Sequence, residues 1–117
     1  MCENLRGRFY FKLTTNGNLL GEFSNNYTDR CWTETANRIG GQSSEFVGTF
    51  ITTWFEKMQE KSITTKLVIR RKEGCEGIYE VVWRADINEN SDRNPKFQGE
   101  AMLCDSILVG DYGVPVP

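Results

Sequence analysis

The chain contains no histidine. Without an imidazole there is no Ser-His-Asp or Cys-His nucleophile system, no histidine-ligated metal and no imidazole switch near neutral pH. A net charge of −2, from 16 acidic against 14 basic side chains, supplies no broad positive field, so no nucleic-acid partner is expected. Long apolar runs are missing as well. No stretch reaches the length that crosses a bilayer, and the opening MCENLRGRFYF places a Glu and two Arg where a signal peptide would be apolar. No membrane partner and a cytoplasmic address are the expectation. The four cysteines, Cys2, Cys31, Cys75 and Cys104, form no CxxC unit and lack the close pairs that a thiolate zinc site uses. Free thiols, no metal and no cofactor follow for a reducing compartment.

What is present is short-period hydrophobicity. At 117 residues the chain is long enough for one domain, 1–117, with one modest core. Residues 7–13, GRFYFKL, lead through the turn signal Thr14-Thr15-Asn16-Gly17-Asn18 into 19–23, a hairpin. A weaker strand is predicted over 30–36 and a loop over 38–44. Residues 45–54, EFVGTFITTW, alternate clearly, with Phe46, Gly48, Phe50, Thr52 and Trp54 on one face. Residues 62–72 and 77–86 form two further strands joined near Gly74, and 97–104 with 106–112 form a closing pair. Residues 54–61, WFEKMQEK, read as one or two helical turns with Trp54 and Met58 on one face, or else as a long polar loop. Residues 86–96 read as a surface loop.

Four glycines, Gly21, Gly48, Gly99 and Gly110, interrupt these strands in similar settings. Glycine weakens a strand interior but serves where a sheet bends sharply or another backbone comes close. The fold class is therefore all-β: a seven- or eight-stranded antiparallel meander barrel. Closure also removes the unpaired edges that an almost helix-free chain could not cover.

The predicted inward set is Phe9, Phe11, Leu19, Phe23, Phe46, Phe50, Trp54, Leu67, Ile69, Tyr79, Trp83, Leu103, Leu108 and Tyr112, leaving Arg8, Tyr10 and Lys12 outside. This bulk either fills the lumen or leaves an apolar cavity lined by Phe50, Trp54, Tyr79 and Trp83, with Trp32 at a rim. Matching the apolar faces of 62–71 and 77–86 puts Arg70 and Glu80 within one pairing step on the outer face. The run Arg70-Arg71-Lys72, followed by Glu73 and Glu76, reads as a self-neutralised hairpin end. A tight turn at Asp105-Ser106 sets Gly99 opposite Tyr112 and Glu100 opposite Asp111. The first pairing lets an aromatic cover a glycine. The second is a carboxylate pair that would suit acid–base work if buried and is otherwise a solvated strand end. Met102, Ile107 and Val109 leave the outer face partly apolar, which points to a homodimer through that face.

The architecture resembles the calycin group, the small meander barrels that include lipocalins, fatty-acid-binding proteins and the biotin-binding avidins. The likeness to avidins lies in Gly21-Glu22-Phe23-Ser24-Asn25, against their G-x-aromatic-x-Asn pattern. It also lies in Gly48-Thr49-Phe50-Ile51-Thr52, against G-T-Tyr-x-Thr, and loosely in Tyr79-Glu80-Val81-Val82-Trp83. It marks Asn25 and Thr52 as matching the polar positions. Phe50 lacks the usual tyrosine hydroxyl, and of the several tryptophans that family uses only Trp83 has a counterpart. The resemblance implies a barrel and a lumen able to hold a ligand, and does not identify biotin as that ligand.

Three functions follow. The first is a non-enzymatic barrel that binds a small apolar or amphipathic ligand through Phe23, Phe50, Trp54, Tyr79, Trp83 and Tyr112. The second is a solid barrel acting as an interaction or homo-oligomeric assembly module. The third is a cyclase or isomerase of lipocalin-like type working through carboxylate or tyrosine groups.

Overall fold

Inward and outward side chains alternate strictly along β1 (Arg6–Leu13): Gly7, Phe9 and Phe11 are buried, whereas Arg6, Arg8 and Lys12 are exposed. The same period of two carries the chain through β2 (Leu19–Asn25), β3 (Trp32–Gly40), β4 (Gly48–Glu56), β5 (Lys61–Arg71), β6 (Ile78–Arg84), β7 (Phe97–Cys104) and β8 (Ile107–Gly113). The computed structural model describes residues 4–56, 59–85 and 95–115. Each strand pairs antiparallel with its neighbours in sequence, and β8 returns to pair with β1, closing an eight-stranded meander barrel.

The core fills the lumen from its middle to one end. Phe11, Leu19, Phe50, Leu67, Ile69 and Leu108 are wholly buried there, each projecting from a different strand or a different level of one. That end is sealed by Arg38. Its guanidinium lies 4.6 Å from the centre of the Phe50 ring and donates to the carbonyls of Gly17 at 2.8 Å, Val47 at 3.1 Å, Gly40 at 3.2 Å and Glu45. One cation thus satisfies three loop carbonyls and that of Gly40 at the end of its own strand while its flat face rests on an aromatic ring. Burial holds its pKa below the ordinary arginine value, and the Glu45 carboxylate acts in the opposite sense.

Strand glycines mark where the barrel backbones press together. A Cβ on Gly21 would fall inside the carbonyl oxygen of Tyr10 on β1, and one on Gly99 inside that of Asp111 on β8. Tyr112 does stand opposite Gly99, but its ring covers Gly7 on the other flank, because the Asp111 carbonyl already occupies the space over Gly99. Arg70 and Glu80 are direct partners, with Nε and Oε1 3.3 Å apart. Arg71 reaches Glu45 at 3.7 Å and Lys72 reaches Glu100 at 2.6 Å, so the basic run is neutralised by carboxylates on other strands and loops.

The structure corrects three expectations. No helix forms over the described part of 54–61: Trp54 and Glu56 extend β4, and Lys61 opens β5 after a turn in which Glu60 takes a positive φ of 52°. Met58 lies outside the described residues, as does most of 86–96. The third strand does not end at residue 36. It runs on to Gly40, because Arg38 has partners at the barrel end that keep the ladder going through a bulge against β4. Leu103 has the inward parity of its ladder partner Leu108 but is 48% exposed, since near the end of β7 it borders an open depression that it lines with Leu13, Phe46 and Tyr79.

Candidate functional site

The opposite end of the barrel is built differently. There β3 brings Glu34 into the lumen, between Gly21 of β2 and Trp54 of β4. Its side chain is 4% exposed. The indole Nε1–H of Trp83 donates to Glu34 Oε2 at 2.9 Å, and the Thr52 hydroxyl lies 2.6 Å from the same oxygen. Both donors converge on Oε2, and no described residue donates to Oε1. Burial pushes the Glu34 carboxyl up to about 7, and the two hydrogen bonds hold it from rising further. A carboxyl with that balance is part proton donor, part anion at neutral pH.

Aromatic rings surround it in sequence of contact. Phe23 meets Trp54 with centroids 6.2 Å apart, Trp54 meets Phe97 at 6.3 Å, Phe97 meets Tyr112 at 5.8 Å and Tyr112 meets Trp83 at 5.6 Å. Phe9 closes the floor edge-on to Trp83 at 5.3 Å. Inside this fence lies a cavity of about 50 Å³ lined by Phe23, Asn25, Glu34, Trp54, Glu56, Trp83, Phe97 and Tyr112, with Leu5 at its edge. That is room for a few non-hydrogen atoms. Leu5, Phe23, Asn25 and Glu56 also line a wider mouth of about 690 Å³, to which Trp32 and Phe55 contribute.

Asn25 is held in place by its own turn, since its Oδ1 accepts the Tyr27 N–H at 2.8 Å. Its Nδ2 then donates to the Tyr112 hydroxyl at 2.9 Å, which leaves the phenol proton free to point at an acceptor. Burial pushes the Tyr112 phenol up to about 12, with the Asn25 bond opposing it, so Tyr112 remains a neutral donor. The lumen therefore presents one carboxyl acceptor at depth, one phenolic donor nearer the exit and apolar ring faces between them.

Of the residues singled out from the sequence, Phe23, Asn25, Trp54, Trp83 and Tyr112 meet at this cavity, Thr52 stands behind Glu34, and Trp32 belongs to the mouth. Phe50 and Tyr79 do not line the open-end cavity. Phe50 is fully buried beneath Arg38, and Tyr79 faces a separate depression at the sealed end. Glu100 and Asp111 are opposite one another, as the turn at 105–106 requires, but both are exposed and Glu100 is engaged by Lys72. Glu34 and Phe97 were not picked out by sequence reasoning. The available signal was parity alone: Glu34 alternates with Trp32 and Ala36 on one side of a strand.

The thiols of Cys31, Cys75 and Cys104 are free and exposed, and among the described residues no group of three acidic or thiol side chains gathers as a metal site. No helix of the described residues is long and apolar enough to cross a membrane. Comparisons of the chain with protein-family models, with curated proteins and with solved structures find no match.

Proposed function

We propose that this chain is a calycin-like binding barrel that takes a small amphipathic molecule through its open end, with the polar part on Glu34 and the apolar part among the rings. The observation that carries this reading is the buried Glu34 carboxyl, oriented by Thr52 and Trp83 on one oxygen and left open on the other. A carboxyl in an apolar lumen costs stability unless something compensates it, and two donors on one oxygen are a partial compensation. The closed meander supports the calycin-like architecture, and Asn25 and Thr52 standing by the cavity agree with the polar positions that the resemblance marks. Titrating nitrogen-15-labelled protein with a set of small aromatic fragments tests the reading. The indole N–H signals of Trp54 and Trp83 should shift saturably, with fragments competing for one site. Shifts confined to outer-face residues would overturn it.

A second reading is self-association through the outer face of β7 and β8. It rests on Met102 and Val109, which pair across the two strands and are 56% and 43% exposed. Light scattering at micromolar concentration should then show a dimer that Met102→Lys dissociates; a monomer in the native chain discards this reading. The enzymatic alternative attaches to Glu34 rather than to Glu100 and Asp111, since among the described residues only Glu34 is a buried carboxyl in a cavity.

A further inference from the structure

The cavity and its mouth carry charge of one sign. Glu34 lies at the floor, Glu56 lines both compartments and Asp29 stands in the mouth, while no lysine or arginine among the described residues lines either. Asp29 is answered by Arg30, 3.5 Å away. Glu34 and Glu56 have no such answer among the basic residues described. The cations nearby are engaged elsewhere or exposed: Arg8 donates to Ser24 Oγ at 3.1 Å, the Lys96 ammonium is seated on the Phe97 ring, and Lys61, the ladder partner of Glu56, is exposed and forms no ion pair with it.

The walls point the same way. Ring faces attract cations through their quadrupole, and the attraction grows as water is excluded. Rim rings already hold side-chain cations, with the Arg30 guanidinium 5.6 Å from the Trp32 ring centre and the Lys96 ammonium 5.5 Å from that of Phe97. Deeper in, Trp54 and Tyr112 flank the cavity beside Glu34. An anionic guest would face Glu34 and Glu56 at short range in a poorly hydrated space. A neutral guest would leave the Glu34 carboxylate without a counter-charge. A cationic nitrogen supplies that charge and the hydrogen bond that Oε1 lacks.

We infer that the ligand of the open end is a small organic monocation: an ammonium or amidinium group on a flat apolar body, with its nitrogen on Glu34 Oε1 and its body against Trp54, Phe97 and Tyr112. The inner cavity of about 50 Å³ has the size of such a head group, and the body extends into the mouth. This rests on the binding-barrel reading and specifies its ligand class.

Calorimetric titration of the native chain at pH 8 with three probes of one shape tests it: benzamidine as the cation, benzamide as the neutral analogue and benzoate as the anion. Benzamidine should bind about tenfold or more tightly than benzamide, and benzoate should not bind. In Glu34→Gln, which keeps shape and removes charge, benzamidine should weaken about 10- to 100-fold while benzamide stays within a factor of about three. Glu56→Gln should weaken benzamidine less, because Glu56 is half-buried at the mouth. Benzamide or benzoate binding at the tryptophans as tightly as benzamidine would overturn the cationic assignment and leave the binding barrel standing. No binding by any of the three would overturn both.

Discussion

Trp83 on β6 donates its indole proton to Glu34 on β3, 49 positions away in the chain and across the lumen, at 2.9 Å. The two strands share no ladder, so this bond links opposite walls of the barrel at the depth of the cavity floor. It makes Trp83 both a wall of the site and the group that aims its carboxyl.

Replacing Trp83 by Phe keeps a ring and removes the donor. The Glu34 carboxyl should then titrate above its present value of about 7, because burial would be opposed by Thr52 alone. The carboxyl carbon-13 shift of Glu34 followed against pH measures this directly. Stability at pH 8 should fall by about 1–3 kcal/mol, the usual cost of stripping a partner from a buried charged group. An unchanged titration would mean that the indole does not hold the carboxylate.

Glu34 should also shape the pH dependence of stability. Its pKa is raised from 4.5 to about 7 on folding, so the folded state binds the proton more tightly. The stabilisation from that proton is complete below about pH 4.5 and is lost as pH rises to about 7, after which the effect is flat. The difference across the window is on the order of 3 kcal/mol. The groups facing Glu34 are Thr52 and Trp83, which stay neutral, Tyr112, which is pushed up to about 12, and Glu56 at the mouth. Glu34→Gln should remove this downward step in urea denaturation between pH 5 and 8, whatever slope the other groups leave. A step of equal size in both proteins would assign it elsewhere.

The sealed end should be separable from the site. Arg38→Met keeps an apolar stem over Phe50 and strips the donors from the carbonyls of Gly17, Gly40, Glu45 and Val47. A loss of about 2–4 kcal/mol is expected in urea denaturation, with the Trp54 and Trp83 indole signals unmoved. Movement of those signals would show that the plug and the cavity are coupled.

Thr65 has the opposite balance. Its hydroxyl oxygen is buried, next to Thr52 in the ladder, and has no hydrogen-bond partner among the described residues. Thr65→Val swaps an unsatisfied hydroxyl for a methyl of similar shape and should raise stability by about 1 kcal/mol. The urea midpoint should rise at constant m-value. A fall would show that the hydroxyl is hydrated in solution.

The ladders were more legible in the sequence than the site. Alternation in 45–54 and 77–86, together with the turn at Asp105-Ser106, fixed neighbours and even cross-strand partners such as Arg70 with Glu80 and Glu100 with Asp111. At the turn both residues take positive φ, 50° and 70°, as a two-residue hairpin demands. The strand that carries the site was the weakest to read. WTETANRIG sends Trp32, Glu34, Ala36 and Arg38 to one side, a set with two charges and no apolar stripe. Its inward face is compensated by partners outside the segment: Trp83 across the lumen and Thr52 on the neighbouring β4 for Glu34, Phe50 on β4 and two loops for Arg38. Local pattern cannot register compensation that arrives from other strands and loops. The segment 54–61 failed for a related reason. Its four-residue spacing fits a helix, yet Trp54 is already committed to the ladder opposite Ile63 and Glu34.

The strand order of the barrel bears on how the chain must fold. Seven of its eight ladders join strands consecutive in sequence, and only β1 with β8 connects segments about 100 residues apart. Seven pairings are local hairpin closures with small loop entropy, and the eighth is a long-range closure that can register only once the others have curved the sheet. The cavity wall from Tyr112 and the Gly7 that its ring covers sit on that last ladder. The site is thus completed by the final seam. Joining β8 to β1 with a short linker and opening the chain in the 73–77 turn would turn that seam into a hairpin. Such a permuted chain would keep all eight ladders and move the long-range closure to β5 with β6, so that Trp83 rather than Tyr112 would join the site last.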